Sequence, residues 1–272
     1  MTLPETTRQQ LLIGARAAVA AASTLVRERS LAGFATWQKA DRSFVTEVDL
    51  EVERLLRDDL SRQFPGHDIL GEELEQLDRG SDFQWIIDPI DGTLSFTRGI
   101  PLFGIIVGLF HEGKPLLGVI DHPALGTTYS AARGLGAWRN ERRIVLQDLA
   151  PELAVEDEPI AMGDRHQFMR SGLEPVFDRL VTGHPRVRTY ADCFGHTLAV
   201  QGSVGAMVDF GLRIWDISAT QVLIEEAGGE FRSIERADGP EGGRYYHMVC
   251  GKPRVVAWAL EQIAAAGVSF SG

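Results

Sequence analysis

Cysteine is scarce: Cys193 and Cys250 are the only two in 272 residues. They stand far apart and in no CxxC pattern, which excludes a disulfide scaffold and a structural zinc site. Positive charge is also short, with 27 basic against 38 acidic side chains and a net charge of −11. That balance repels phosphate backbones and excludes broad nucleic-acid binding, while leaving room for a small anionic substrate beside locally placed cations. No apolar run reaches the roughly 18 residues of a membrane span. The nearest, 17–26, is alanine-rich and bracketed by Arg16 and Arg27. Around it Leu11, Leu12, Ala15, Ala18, Val19, Ala22, Leu25 and Val26 recur at helical spacing, which predicts an amphipathic first helix rather than a targeting segment. These absences predict a cytoplasmic protein in a reducing compartment, with neither membrane nor nucleic acid among its partners.

What is present suits an ordinary globular protein. Hydrophobic residues at 44% and charged residues at 24% suffice for a large core, in one big domain or two packed halves. The spacing of Val52, Leu55, Leu56 and Leu60 predicts a helix over 50–64, ended by Pro65-Gly66. Residues 85–88 read as a buried strand broken by Pro89 and Gly92. Segments 104–110 and 116–121 read as a hairpin with a longer loop over 111–115, and 128–132 as a further strand. The acidic stretch 147–159 is the expected joint between halves. Beyond it, strands are expected at 159–162 and 206–210, and helices at 168–180 and 218–227, the last closed by Gly228-Gly229. Hairpin-like strands mixed with helices point to a layered α+β protein rather than a pure βαβ series.

The chemistry concentrates in Trp85-Ile-Ile-Asp-Pro-Ile-Asp-Gly-Thr93. Asp88 and Asp91 flank a proline turn at a strand end, which aims both carboxylates, and the Ile90 carbonyl, at one point. Gly92 and Thr93 then offer backbone N–H groups and a hydroxyl as a phosphate seat. The plainer alternative is a capped turn in which Asp91 bonds its own backbone. Two more acidic clusters stand at element ends: Gly71-Glu72-Glu73 and Trp215-Asp216. Singly, Glu72 reads as a solvated residue and Asp216 as a helix N-cap. Together they make a stronger case. Two carboxylates about 4 Å apart repel by roughly 4 kcal/mol at an effective dielectric of about 20, so a gathering of four calls for divalent cations. All-oxygen ligation favours magnesium, manganese or calcium over zinc.

Asp88-Pro-Ile-Asp-Gly-Thr93, Gly71-Glu72-Glu73, Trp215-Asp216 and Glu226-Ala-Gly-Gly229 resemble, in order, the motifs of the inositol monophosphatase superfamily. The resemblance implies a layered αβαβα sandwich of the inositol monophosphatase/fructose-1,6-bisphosphatase type. It also implies a Mg2+-dependent phosphomonoesterase using two or three ions (Mn2+ a possible substitute), acting on a small phosphate ester, commonly as a homodimer. One phosphatase domain, 1–272, is expected to comprise a metal- and phosphate-binding half, about 1–147. A second half, about 158–272, would complete the metal site and substrate pocket. Carried over by position, the metal ligands are Glu72, Asp88, the Ile90 carbonyl, Asp91 and Asp216. Gly92 and Thr93 bind phosphate, and Glu72, Thr93 and Asp49 activate the water. Asp49 also fits a capping box with Thr46.

For the substrate, the runs 97–104, 117–123 and 190–195 resemble the histidinol-phosphatase branch, which serves histidine biosynthesis. Asp209 and Asp192 match positions at the substrate's non-phosphate end, where carboxylates suit a cationic amino-alcohol, although Asp192 also reads as a loop or helix-cap residue. Leu94 departs from that branch, which usually carries lysine there. The alternatives are an inositol-1-monophosphatase or broader sugar or nucleotide phosphatase, and a non-catalytic regulatory protein on the same fold. His122 and His196 read as packed or surface residues.

Overall fold

The computed structural model describes residues 3–39, 43–237 and 243–270. Contacts divide the chain into two units, Met1–Arg143 with Trp215–Glu226, and Ile144–Ile214 with Ala227–Gly272.

The first unit starts with α1 (Glu5–Ala32), which buries the predicted stripe Leu11, Leu12, Ala15, Ala18, Val19, Ala22 and Val26. An 18-residue window of it has the length and mean hydropathy, 1.2, of a membrane-crossing helix, yet half of that window is buried. β1 (Thr36–Gln38) and β2 (Phe44–Thr46) form an antiparallel ribbon. Thr46 then caps α2 (Glu47–Gln63) through a complete capping box with Asp49. Both helices pack on a seven-stranded sheet, where Val19, Val52, Leu56, Trp85 and Leu117 share one core.

That sheet runs in sequence order: β3 (Asp68–Gly71), β4 (Phe83–Asp91), β5 (Gly104–His111), β6 (Lys114–His122), β7 (Thr127–Ala132), β8 (Gly136–Arg139) and β9 (Arg142–Ile144). β3 is parallel to β4, and β4 through β8 pair antiparallel. Two local expectations need correction. β4 does not break at Pro89 but continues to Asp91, with an irregular register against β5 between Asp88 and Asp91; a proline is tolerated at such a bulge because the ladder skips its missing N–H. The β5–β6 loop is not long: Glu112 and Gly113, at φ 51° and 72°, make a two-residue turn of the kind that matches strand twist. After β4 comes the short α3 (Thr93–Thr97).

The second unit holds β10 (Ile160–Met162), α4 (Arg165–Arg170), α5 (Glu174–Gly183), β11 (Val187–Thr189), α6 (Asp192–Val200) and β12 (Ala206–Leu212). The predicted single helix over 168–180 is in fact two, α4 and α5, because Gly172 takes φ 69° between them. Beyond α7 (Ile214–Ile217) and α8 (Thr220–Ala227), the chain adds β13 (Glu230–Arg236), β14 (Tyr245–Gly251) and α9 (Pro253–Ala265). The strand order is β11-β10-β12-β14-β13. Phe168, Phe210, Val249, Val255, Ala259 and Ile263 fill this core.

The division of the chain also departs from the expected halves. Trp215–Glu226 belongs to the first unit, not with the rest of 158–272. Two glycines let it approach: a Cβ at Gly108 would lie 2.7 Å from the Ser218 Cβ, and one at Gly118 2.5 Å from the Ala219 Cα. Only hydrogen at those strand positions leaves room for the 215–219 backbone. Each unit layers helices on a sheet, as the α+β reading expects.

Candidate metal centre

The β4 irregularity decides the local geometry. Residues three apart in a regular strand face opposite sides, so Asp88 and Asp91 would diverge. The register shift turns them together, and the glycine-seated segment brings in Asp216. One oxygen from each of Asp88, Asp91 and Asp216 lies within 4.8 Å of the others. All three belong to the first unit. Asp88 is buried, and its Oδ1 has no hydrogen-bond partner among the described residues. Burial first, then the charges of Glu72, Asp91, Asp216 and Asp49, push its carboxyl well above the usual carboxylate range. A buried acceptor left without a donor costs about 1–3 kcal/mol. Oxygen-only donors with an orphaned lone pair fit a hard divalent cation, which answers both the repulsion and the vacant acceptor.

Asp49 sits at the head of α2. Its Oδ2 accepts the Thr46 N–H at 2.8 Å and the Thr46 hydroxyl, so the capping role is real. The other oxygen faces Thr93 Oγ1 at 3.3 Å, while that hydroxyl lies 2.9 Å from the Ile90 carbonyl. A threonine hydroxyl has a single proton to donate, so Asp49 and Ile90 compete for it. Burial outweighs the Thr46 hydrogen bonds and lifts the Asp49 carboxyl to about 6. Gly92 takes φ 83° and caps α3, a conformation that costs an L side chain and is free for glycine.

Glu72 is not part of the aspartate trio. It stands after β3, and its Oε1 pairs with Lys39 Nζ at 2.8 Å, while Glu73 Oε1 takes the same ammonium at 2.6 Å. Burial works against the Lys39 charge, but the two glutamates outweigh it and hold the ammonium above the ordinary lysine range. Burial and the Glu72 charge lift Glu73 to about 7. Sequence reasoning missed Lys39. The one clue was chemical: crowded acids in a cation-poor chain need a local counter-charge.

The other two predicted residues meet in the second unit. Asp209, on β12, is fully buried; its Oδ1 accepts the Phe210 N–H at 2.9 Å, and Oδ2 lies 3.3 Å from His196 Nε2. Asp192 opens α6 with φ 60°. Burial, then Asp209 and Asp164, lift the Asp192 carboxyl to about 7. Burial also raises Asp209, against the pull of His196. His196 and His122 are both buried.

Comparison with known proteins gives the family. The model of the inositol monophosphatase family matches residues 7–268. The chain belongs to that family. It is similar to a histidinol-phosphatase of Chlorobaculum parvum, 37% identical over 193 residues, which are 71% of this chain and 73% of that one. A histidinol-phosphatase of Mycobacterium tuberculosis is 33% identical over 210 residues, 75% of this chain and 80% of that one. The solved inositol monophosphatase from Anabaena matches with a TM-score of 0.78 at 26% identity, over 94% of this chain and 96% of that one. The layered α+β fold of the family and its phosphomonoester-hydrolase class therefore stand for this chain.

Proposed function

We propose that this chain is a Mg2+-dependent phosphomonoesterase whose substrate is histidinol phosphate, released as histidinol and inorganic phosphate. The observation that carries the chemistry is the Asp88, Asp91 and Asp216 oxygens within 4.8 Å, one of the three aspartates bearing an unpartnered buried oxygen. These aspartates, with Glu72 and the remaining lone pair of the Ile90 carbonyl, would hold two or three magnesium ions, manganese being the natural substitute. When bound, the cation offsets carboxylate repulsion, withdraws charge from phosphoryl oxygens and acidifies water. The chain's own residues do the rest. Gly92 and Thr93 present backbone N–H groups to the phosphate oxygens. Thr93 and Glu72 orient the attacking water, and Asp49, ionising at about 6, is suited to accept its proton near neutral pH.

Substrate choice rests on likeness to the two histidinol-phosphatases and on Asp192 and Asp209. Two desolvated carboxylates share protons at neutral pH, and a cationic amine or imidazolium lets both ionise. One observation weighs against this choice: Leu94, at 55% exposure, stands where the histidinol-phosphatase branch usually carries lysine, so that branch's cation next to Thr93 is replaced by an apolar side chain. We place the enzyme in the cytoplasm, since two widely spaced cysteines provide no disulfide scaffold of the kind secreted proteins rely on.

The test is phosphate release from histidinol phosphate and from inositol 1-phosphate, with Mg2+ and with EDTA. The proposal expects Mg2+-dependent turnover and a kcat/KM at least tenfold higher for histidinol phosphate. Preference for the inositol ester would overturn the substrate, and absence of Mg2+-dependent release across a wider panel of sugar and nucleotide phosphate esters would favour a non-catalytic role.

A further inference from the structure

Asp49 is not the only acid that α2 turns toward this site. One turn later on the same helix face stands Glu53, whose side chain has 0% exposure. It makes no contact with the aspartate trio. Instead its Oε2 accepts the Glu73 N–H at 2.8 Å, and its Oε1 accepts the Leu74 N–H at 3.2 Å and Arg57 Nε at 2.8 Å. Arg57, a further turn along, sends Nη1 to the Glu75 carbonyl at 2.9 Å and Nη2 to the Leu74 carbonyl at 3.0 Å. The ion pair therefore stitches α2 to the backbone of 73–75 through two amides and two carbonyls. Gly71 completes the fit, since a Cβ there would lie 2.0 Å from Glu53 Oε1.

The stitched segment is the one that carries Glu72. Past the end of β3, backbone bonds hold the segment at its two ends, where the Glu72 N–H donates to the Ile87 carbonyl at 3.2 Å and Leu77 pairs with Ile69 at 2.8 and 2.9 Å. A buried carboxylate that satisfies two successive amides, and is itself neutralised by a guanidinium bridging two carbonyls, determines a loop's path more firmly than apolar packing does. Hydrogen bonds are directional and the group is costly to leave unpaired.

We propose that Glu53 and Arg57 are positioning residues for the cation site. They fix the backbone of 72–75 so that Glu72 reaches the ion, and thereby set Mg2+ affinity without touching metal or substrate. The inference rests on the reading of Glu72 as a metal ligand. Glu53→Gln preserves shape but replaces one acceptor oxygen with an NH2 group, so one of the three donors now faces a donor. Arg57→Lys keeps the charge and loses the two-carbonyl bridge.

Mg2+ binding to the full chain is to be measured by titration calorimetry, without substrate, for the native protein, Glu53→Gln, Arg57→Lys and Glu72→Gln. Loss of a group hydrogen-bonded to a metal ligand typically weakens binding by about 10- to 100-fold, and loosening the backbone next to Glu72 should act on a comparable scale. That range is expected for Glu53→Gln, with a smaller loss for Arg57→Lys. At saturating Mg2+ the KM for the phosphate ester should stay within twofold of native, and hydrogen exchange at the Glu73 and Leu74 amides should accelerate. A lowered melting temperature with unchanged Mg2+ affinity in both clamp variants would overturn the inference and leave a purely structural pair. If Glu72→Gln binds Mg2+ as the native chain does, the ligand reading fails instead. Should Glu53→Gln not fold, Arg57→Lys decides alone, since its partly exposed guanidinium, 13%, tolerates the change.

Discussion

Replacing Asp88 by asparagine should make the metal-free protein more stable while abolishing its stabilisation by Mg2+. The Asp88, Asp91 and Asp216 oxygens lie within 4.8 Å of one another. At an effective dielectric of about 20, each pair of charges at that spacing repels by about 3 kcal/mol. Removing the Asp88 charge removes two of those pairs. Against this, part of the repulsion is already relieved by proton uptake, since the Asp88 carboxyl is raised by burial and by its acidic neighbours. The new buried amide also costs about 1–3 kcal/mol if one of its polar atoms stays unpaired. The net expectation is a gain of about 2–4 kcal/mol in EDTA at pH 8, where the acids are most fully ionised. The native protein should gain about 2.7 kcal/mol from Mg2+ at a hundred times its dissociation constant, and the variant close to nothing. Denaturant unfolding in EDTA and in Mg2+ measures both. A variant less stable than native in EDTA, or equally stabilised by Mg2+, refutes the reasoning.

Other outcomes follow from the same contacts. In EDTA, stability should fall as pH rises: Asp49 and Glu73 ionise at about 6 and about 7 in the folded protein, against ordinary values of 3.8 and 4.5. The folded state thus binds more protons between those values. Its advantage is full below the unfolded values and lost as pH passes the folded ones, with Asp49 alone worth ~3 kcal/mol. Melting temperatures from pH 4 to pH 8 check this, and a flat profile contradicts it. Lys39→Met should tighten Mg2+ binding in the absence of substrate by roughly threefold to tenfold, about 1 kcal/mol, because the ammonium on Glu72 competes with the ion; weaker binding by calorimetry contradicts it. Gly118→Val drives a side chain into the Ala219 backbone. It should cost at least ~2 kcal/mol and weaken Mg2+ binding by displacing Asp216, and unchanged binding would show the segment held by other contacts.

The sequence made the acids visible but not the means that assemble them. Asp88-Pro-Ile-Asp91 is legible as a pair aimed at one point. That the strand runs through Pro89 with a shifted register, which restores the two side chains to one side, depends on pairing with β5 and has no local signature. Asp216 was legible as an element-end acid, whereas its place in the first unit follows from Gly108 and Gly118, glycines whose necessity appears only when Ser218 and Ala219 lie against them. The stripes of α1 and α2 were readable because their burial is periodic. The break between α4 and α5 was not, since Gly172 interrupts an apolar pattern that continues on both sides. Lys39, Glu53 and Arg57 act through contacts 17 to 34 residues away in sequence, beyond any motif window.

The most direct test of the central claim is a crystal soaked in Mn2+ and examined by anomalous scattering at the manganese edge. A peak bounded by Asp88, Asp91 and Asp216, with their oxygens at about 2.0–2.2 Å from its centre as for a hard six-coordinate ion, is the predicted result. Clear density for those carboxylates with no peak among them would contradict the account.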